Sequence, residues 1–234
     1  MNPLANTREP IGPWWQTVLI LVPIAMSSAA SWYQHGFANL HLPGMSSRVS
    51  GYVTVLAVEW LVVLLIWIAL RRRGLALRDL ISGRWPTVGA FFKDLGIALG
   101  FMVVVIPVVG LLIRFIGGGS SSAAGVQAVL PATPFELLGF LVLAVSGSFS
   151  EELFFRGYLS QQFFAWTGNH IFAIIAQGAL FGLAHGYYGR VMLAIMVHGW
   201  LVGLLAHWRQ TLRPGILAHG LQDVLGGTVA FFSR

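Results

Sequence analysis

At residues 147–166 the chain reads GSFSEELFFRGYLSQQFFAW, an apolar and small-residue run interrupted by two adjacent glutamates and one arginine. If this run is helical, Glu152 and Arg156 lie at positions i and i+4 on one face, close enough for an ion pair. Glu151 is rotated by about 100° and points elsewhere. Charge in apolar surroundings is costly unless it is paired or functional. The spacing therefore predicts one glutamate held by arginine and another, Glu151, that is available for chemistry.

The composition is that of a polytopic membrane protein. The chain has 234 residues, of which 56% are hydrophobic and 9% charged, and its mean hydropathy is +0.76; a soluble domain carries about 25% charged residues. The length predicts one integral-membrane domain over residues 1–234. The sequence has no cysteine, which excludes disulfides, thiolate nucleophiles and thiolate-bound zinc. The net charge of +6 is concentrated in a few loops, as topology signals are, so nucleic acid is not an expected partner.

Apolar runs of helical length predict an all-α membrane bundle of about seven transmembrane helices, or eight if the fourth run divides. The predicted spans are residues 14–33, 51–70, 95–116, 135–166, 171–185, 191–208 and 216–232. The most basic loop, residues 71–93, begins with three arginines and is predicted to be cytoplasmic. Counting crossings from this loop also places the N-terminus in the cytoplasm, with the protein integral to the cell membrane. The uncharged, Gly- and Ser-rich residues 117–134 are predicted to form a flexible loop on the opposite side.

Two further predicted helices carry ionisable groups into the apolar bundle. His185 ends the stretch FGLAH, and His219 and Asp223 enclose the stretch HGLQD. A water held by a carboxylate and an imidazole is a nucleophile for a carbonyl carbon, and a second imidazole can stabilise the oxyanion. Counting the rise per residue puts Glu151 and His185 at one depth, whereas a straight last helix leaves His219 about 10 Å nearer the cytoplasm. Either tilt or a deeper start of the last helix must close this gap, and the sequence does not show which. The residues alone leave open whether the imidazoles hold a metal or a water.

Each of these groups also has a structural alternative. Glu152 and Arg156 can serve as an ion pair that fixes helix packing, and a single buried histidine is often a hydrogen-bonded packing residue. Glu59 and His198 are intramembrane ionisable residues without a motif partner, so the sequence leaves them between cavity lining and packing. His207, near the end of its predicted span, is interpreted as structural.

Three patterns in order carry a family resemblance: EExxxR at 151–156, FxxxH at 181–185 and HxxxD at 219–223. They resemble the motifs of the CAAX protease and bacteriocin-processing family, also called the Abi family, of intramembrane endopeptidases. This family includes the enzyme that removes the last three residues of prenylated CAAX proteins. The matching part, about residues 136–225, is the predicted catalytic core. The resemblance implies a peptide or lipidated protein as substrate, in contact with membrane lipid.

The resemblance also implies a role for each motif residue. Glu151 is expected to be the general base that acts on a water, with His185 helping to hold that water. Glu152 and Arg156 are expected to be a structural pair beside it, and His219 is expected to stabilise the oxyanion. Members of the family have been described as zinc-dependent and as glutamate-dependent without a catalytic metal. The sequence fits either description, with Glu151, His185 and His219 as the predicted ligands if zinc is bound.

Asp223 departs from the family pattern, whose third motif usually ends in asparagine. An ionised aspartate accepts hydrogen bonds and cannot donate one to an oxyanion. Asp223 is therefore expected to orient His219, to ligate a metal or to act in its protonated form.

The sequence thus predicts an intramembrane endopeptidase that uses a water activated by Glu151 with His185. Two alternatives from other classes stay open. One is a proton-coupled transporter, in which the same carboxylates and histidines form a relay, although the chain shows neither an internal repeat nor paired broken helices. The other is a non-catalytic membrane protein or immunity protein that retains the motifs as a scaffold.

Overall fold

The computed structural model describes residues 7–33, 41–117 and 120–233, and these form helices and no strands. A π-helical segment spans Glu152–Leu159, and a 3₁₀-helical segment spans Gly186–Val191. The helices are α1 (Trp14–Tyr33), α2 (Ser47–Arg72), α3 (Leu77–Ile81), α4 (Val88–Ile116), α5 (Ser120–Val129), α6 (Pro134–Glu151), α7 (Ser160–Thr167), α8 (His170–Ala184), α9 (Met192–Arg209) and α10 (Arg213–Phe232).

Four helical runs in the described part of the chain are long and apolar enough to cross a membrane. They are Ser47–Arg72, Val88–Ile116, Pro134–Thr167 and Gly186–Arg209, while Trp14–Met26 and His170–Ala184 are shorter apolar helices. The outer faces suit lipid, since Val103 and Phe115 on α4 are 74% and 79% exposed. The predicted all-α membrane architecture is confirmed at this level. The number of seven or eight spans stays a prediction, and the N-terminus begins outside the described residues.

The fourth run is one helical rod whose middle is a π-helix. Thr133 caps its start by accepting a hydrogen bond from the amide of Glu136, and Gly168, with φ of 67°, ends it. All eight residues of the segment Glu152–Leu159 are buried. The sequence predicted an ordinary α-helix here. π-Helical turns are rare and occur frequently at functional sites, because they redirect the side chains around them.

α10 packs antiparallel against this rod, through small residues that allow close approach. A Cβ added at the glycine of each pair would touch the partner side chain: Gly157 with Leu212, Gly215 with Glu152, Gly220 with Ser148, and Gly227 with Phe140. α10 therefore begins beside the π-helical segment rather than beside the end of α7. This deeper start brings His219 level with the two glutamates and removes the depth gap that a straight-helix count gives.

Residues 120–129 form helix α5, so the prediction of a flexible loop over 117–134 is wrong for this part. Serine and alanine tolerate helix, and the packing supplies the rest. Gly125 lies against the backbone carbonyl of Tyr187, where a Cβ would collide. α5 is thereby held against the 3₁₀-helical segment, next to His185.

α4 begins at Val88, seven residues before the predicted start of the third span. Thr87 caps it by accepting a hydrogen bond from the amide of Ala90. Asp94, which the sequence placed in a loop, is buried inside this helix. It is paired with Arg209 at 3.4 Å and with Arg213 at 3.0 Å. The charge does not end the helix because these arginines compensate it, and the pairs tie α4 to the junction of α9 and α10.

Candidate active site

Glu151 is the last residue of α6, and its carboxylate faces two imidazoles. Its Oε1 lies 3.9 Å from Nε2 of His185, and its Oε2 lies 3.7 Å from Nε2 of His219. Both distances exceed the length of a direct hydrogen bond, so the carboxylate is not engaged directly by either imidazole and can bind a water. The Glu151 side chain is 22% exposed, so solvent can reach it. The structure thus brings together the three residues that the motifs predicted to share one site.

Glu152, the second glutamate, contacts the ring nitrogen of His219 that does not face Glu151. Nδ1 of His219 lies 3.0 Å from Oε1 of Glu152, and the same oxygen lies 3.0 Å from Nη1 of Arg156. The side chains of Glu152 and Arg156 are at most 1% exposed. The predicted ion pair is therefore present, and it has an additional contact that the sequence did not predict: it orients the imidazole that faces Glu151.

Phe181 links the arginine to the other histidine. The guanidinium carbon of Arg156 lies 4.2 Å from the centroid of the Phe181 ring, a distance typical of a cation–π contact. The Phe181 carbonyl lies 2.8 Å from Nδ1 of His185. A carbonyl only accepts hydrogen bonds, so Nδ1 of His185 carries a proton, which in the neutral ring leaves Nε2 as an acceptor facing Glu151. In the sequence this phenylalanine is visible only as the first residue of the FxxxH pattern.

Asp223 lies at the edge of the site. Its Oδ2 is 3.5 Å from Nε2 of His219, and its side chain is 40% exposed. Nε2 of His219 thus faces two carboxylates, those of Glu151 and Asp223, while Nδ1 faces a third. Acceptors on both sides suit a ring that donates from both nitrogens.

A cavity of about 210 Å³ is lined by Glu151, His185, His219 and Asp223. Its lining also includes Glu59 and His198, which lie outside the motifs. Glu59 on α2 accepts a hydrogen bond of 3.0 Å from the hydroxyl of Ser150. The His198 ring on α9 lies 5.6 Å from the His219 ring. The sequence did not decide whether these two residues line a cavity or pack in the interior of the bundle. In the structure both line the cavity. His207, interpreted as structural, lies beside His170 with ring centroids 4.6 Å apart.

A second cavity, of about 120 Å³, adjoins the first. The two share Glu59, Glu151 and His185, and the remaining lining of the second is largely aliphatic and aromatic. Ser150, which binds Glu59 and precedes the candidate base, also borders this cavity. No sequence pattern singles out this serine, because a single hydroxyl in a helix is common.

The predicted zinc ligands, Glu151, His185 and His219, do not form a metal-binding group. Within residues 7–33, 41–117 and 120–233, no three or more histidine, cysteine or acidic side chains have the arrangement of a metal site. A metalloprotease assignment therefore has no support among the described residues.

The fold and the site together describe a class of protein: an all-helical membrane protein in which a carboxylate and imidazoles line a cavity. Residues 133–225, from the N-cap of α6 to Leu225 in α10, match the family model of the Rce1-like type II CAAX prenyl endopeptidases. The match contains all three motifs and confirms the resemblance to the CAAX protease family. This match supports a CAAX-protease-type peptidase at the level of the family, and the match and the apolar helices together support an integral membrane protein. Searches of curated proteins and of solved structures found no match.

Proposed function

We propose that this protein is an intramembrane endopeptidase that hydrolyses a peptide bond with a water activated by Glu151 and His185. The observation that carries the proposal is the carboxylate of Glu151, which faces His185 at 3.9 Å and His219 at 3.7 Å inside a cavity. The family match supports peptidase activity, and the geometry supplies a candidate for each role.

The water is positioned by two acceptors. It donates one hydrogen bond to Oε1 of Glu151 and the other to Nε2 of His185, whose Nδ1 is bound to the Phe181 carbonyl. Both protons of the water are then committed, and an oxygen lone pair is directed at the substrate carbonyl. Glu151 removes one proton as the water oxygen bonds to the carbonyl carbon.

The negative charge that develops on the carbonyl oxygen is stabilised by His219. Its Nε2 faces the cavity, and Glu152 holds its Nδ1 so that the ring is oriented before the reaction begins. When the tetrahedral intermediate collapses, the carbon–nitrogen bond breaks and Glu151 delivers its proton to the leaving amine. The products are a new carboxyl group and a new amino group, and Glu151 is regenerated.

The remaining motif residues do not react with the substrate, and instead position the residues that do. Arg156 neutralises Glu152 inside the protein and lies against Phe181, so one cation stabilises the groups behind both histidines. Asp223 contacts His219 from the open side and helps to orient it. All seven residues specified by the motifs thus serve one site, within a catalytic core of about residues 136–225 in a single membrane domain.

The substrate is a peptide or a lipidated protein in contact with the membrane, as the family match supports. The basic segment 71–93 is on the cytoplasmic side of the cell membrane, because Arg71, Arg72 and Arg73 lie at the end of an apolar helix long enough to cross. Counting crossings back from this segment places the N-terminus on the same side. This orientation can be checked by cysteine labelling from either side, since the chain has no cysteine of its own.

The test is a cleavage assay with the purified protein in liposomes and a panel of lipidated fluorogenic peptides. We expect wild type to cleave at least one peptide, and Glu151→Ala and His185→Ala to cleave none while they stay folded in detergent. Glu9→Gln removes a surface carboxylate and is the matched control. Full activity in either site variant would overturn the proposal. Solute transport without cleavage supports a transporter instead, and a phenotype that survives Glu151→Gln in cells supports a non-catalytic role.

A further inference from the structure

Glu59 is a carboxylate of the site that belongs to none of the three motifs. It lies on α2, outside the matched segment 133–225, and it lines both the larger, polar cavity and the smaller, apolar one. A substrate chain that occupies both cavities therefore passes this side chain.

One oxygen of Glu59 is fixed and the other is open. Oε2 accepts the hydrogen bond from Ser150, the residue before Glu151, and this fixes the carboxylate against α6. Oε1 is nearest to Gly147, where the missing side chain leaves room for it. No donor among the described residues reaches Oε1, and no described lysine, arginine or histidine forms an ion pair with this carboxylate. A carboxylate with an open oxygen in a cavity is an acceptor for a donor group of a ligand.

The charges around the cavities specify the kind of donor. None of the described residues that line either cavity is a lysine or an arginine. Arg156, the nearest cation of the motifs, is buried behind Glu152 and has no exposed side-chain surface. The described lining of the two cavities therefore offers no lysine or arginine to a substrate carboxylate, whereas Glu59 is available to a positive group.

We propose that Glu59 contacts the substrate and selects a peptide with a lysine or arginine side chain beside the bond that is cut. This specificity rests on the proposed endopeptidase function and deepens it. The aliphatic stem of such a side chain suits the apolar cavity, and its charged end reaches Oε1 of Glu59 at the junction of the two cavities. Selection by an opposite charge in a partly desolvated site discriminates against neutral analogues, because the carboxylate is otherwise left without a partner.

The experiment compares two lipidated peptides that differ at one position beside the cut, with lysine or with norleucine, which keeps the stem and lacks the ammonium group. We expect wild type to favour the lysine peptide in kcat/KM by about tenfold or more, as for a partly buried charge pair. In Glu59→Gln the preference should fall to within about twofold. Glu59→Asp keeps the charge and should keep most of the preference, and Glu9→Gln is the control for loss of a distant carboxylate.

Three results overturn the inference: no preference in wild type, a preference that survives in Glu59→Gln, or an equal loss for both peptides in Glu59→Gln. The last result makes Glu59 a structural or general catalytic residue. Peptide-induced thermal stabilisation separates this inference from the proposed function. If wild type cleaves neither peptide but is stabilised more by the lysine peptide, and Glu59→Gln loses this difference, Glu59 recognises the basic side chain and the endopeptidase proposal fails. Equal cleavage with equal stabilisation leaves the endopeptidase proposal standing and refutes the role of Glu59.

Discussion

Nδ1 of His219 lies 3.0 Å from Oε1 of Glu152, although 67 residues separate the two along the chain. This contact joins the first motif to the third. It is made possible by the antiparallel packing of α10 on the rod that contains the π-helical segment, with glycines at the points of closest approach. Glu152 therefore has two roles: it pairs with Arg156, and it orients the imidazole of His219 opposite Glu151.

Arg156 should be the largest single contributor to stability within the site. Arg156→Met leaves the buried carboxylate of Glu152 without its cation, so we expect a loss of about 3–5 kcal/mol in the free energy of unfolding. The double variant Glu152→Gln/Arg156→Met removes both charges and should recover much of that loss. Unfolding of the purified proteins in detergent measures both. Arg73→Met, which breaks a surface pair with Glu9, is the control and should cost about 0–1 kcal/mol. A loss no larger in Arg156→Met than in this control contradicts the buried pair.

Asp223→Asn tests the one departure from the family motif. The asparagine oxygen can still accept a hydrogen bond from His219, and its amide group can donate one to the oxyanion. We expect kcat within about fivefold of wild type, since the orienting contact is retained and a donor is gained. Steady-state kinetics with the best peptide of the panel measures this. A loss of about a hundredfold or more shows instead that the negative charge at position 223 is required.

Gly226 and Gly227 form a matched pair for testing how α10 is seated. A Cβ at Gly227 would collide with the ring of Phe140 on α6, whereas nothing lies within 4 Å of a Cβ at Gly226. We expect Gly227→Ala to destabilise the protein by about 1–3 kcal/mol through overpacking. Gly226→Ala should be neutral or stabilise by up to about 1 kcal/mol, since alanine favours helix. Thermal unfolding and cleavage rates measure the effect, and equal behaviour of the two variants argues against the observed α6–α10 interface.

The motif residues could be found from the sequence because each carries a charge or an imidazole in an apolar helix. Such groups need a partner, and their spacing gave the Glu152–Arg156 pair and the common depth of Glu151 and His185. The register of α10 could not be found, because it depends on glycine contacts between helices far apart in the chain. The sequence therefore did not show whether tilt or a deeper start of the last helix brings His219 to the depth of the glutamates.

Other features were hidden for different physical reasons. The π-helical segment has no simple sequence pattern, since the same residues also suit an α-helix. Helix α5 is stabilised by contact with the 3₁₀-helical segment, which outweighs a composition that is typical of loops. Glu59 was noticed as an isolated intramembrane carboxylate, but its place at the junction of two cavities depends on the packing of α2 against α6. Local patterns do not encode such contacts between distant helices.

The role of Glu151 as the general base is tested most directly by the cleavage rate of Glu151→Gln, measured in liposomes beside wild type and Glu9→Gln. Glutamine keeps the size of the side chain and cannot take a proton from water, so we expect kcat to fall by at least about 10³-fold. The unfolding temperature and the Arg156–Glu152–His219 contacts should be unchanged, because Glu151 is partly exposed and does not hold them. A folded Glu151→Gln protein that cleaves peptide at the wild-type rate would contradict the account.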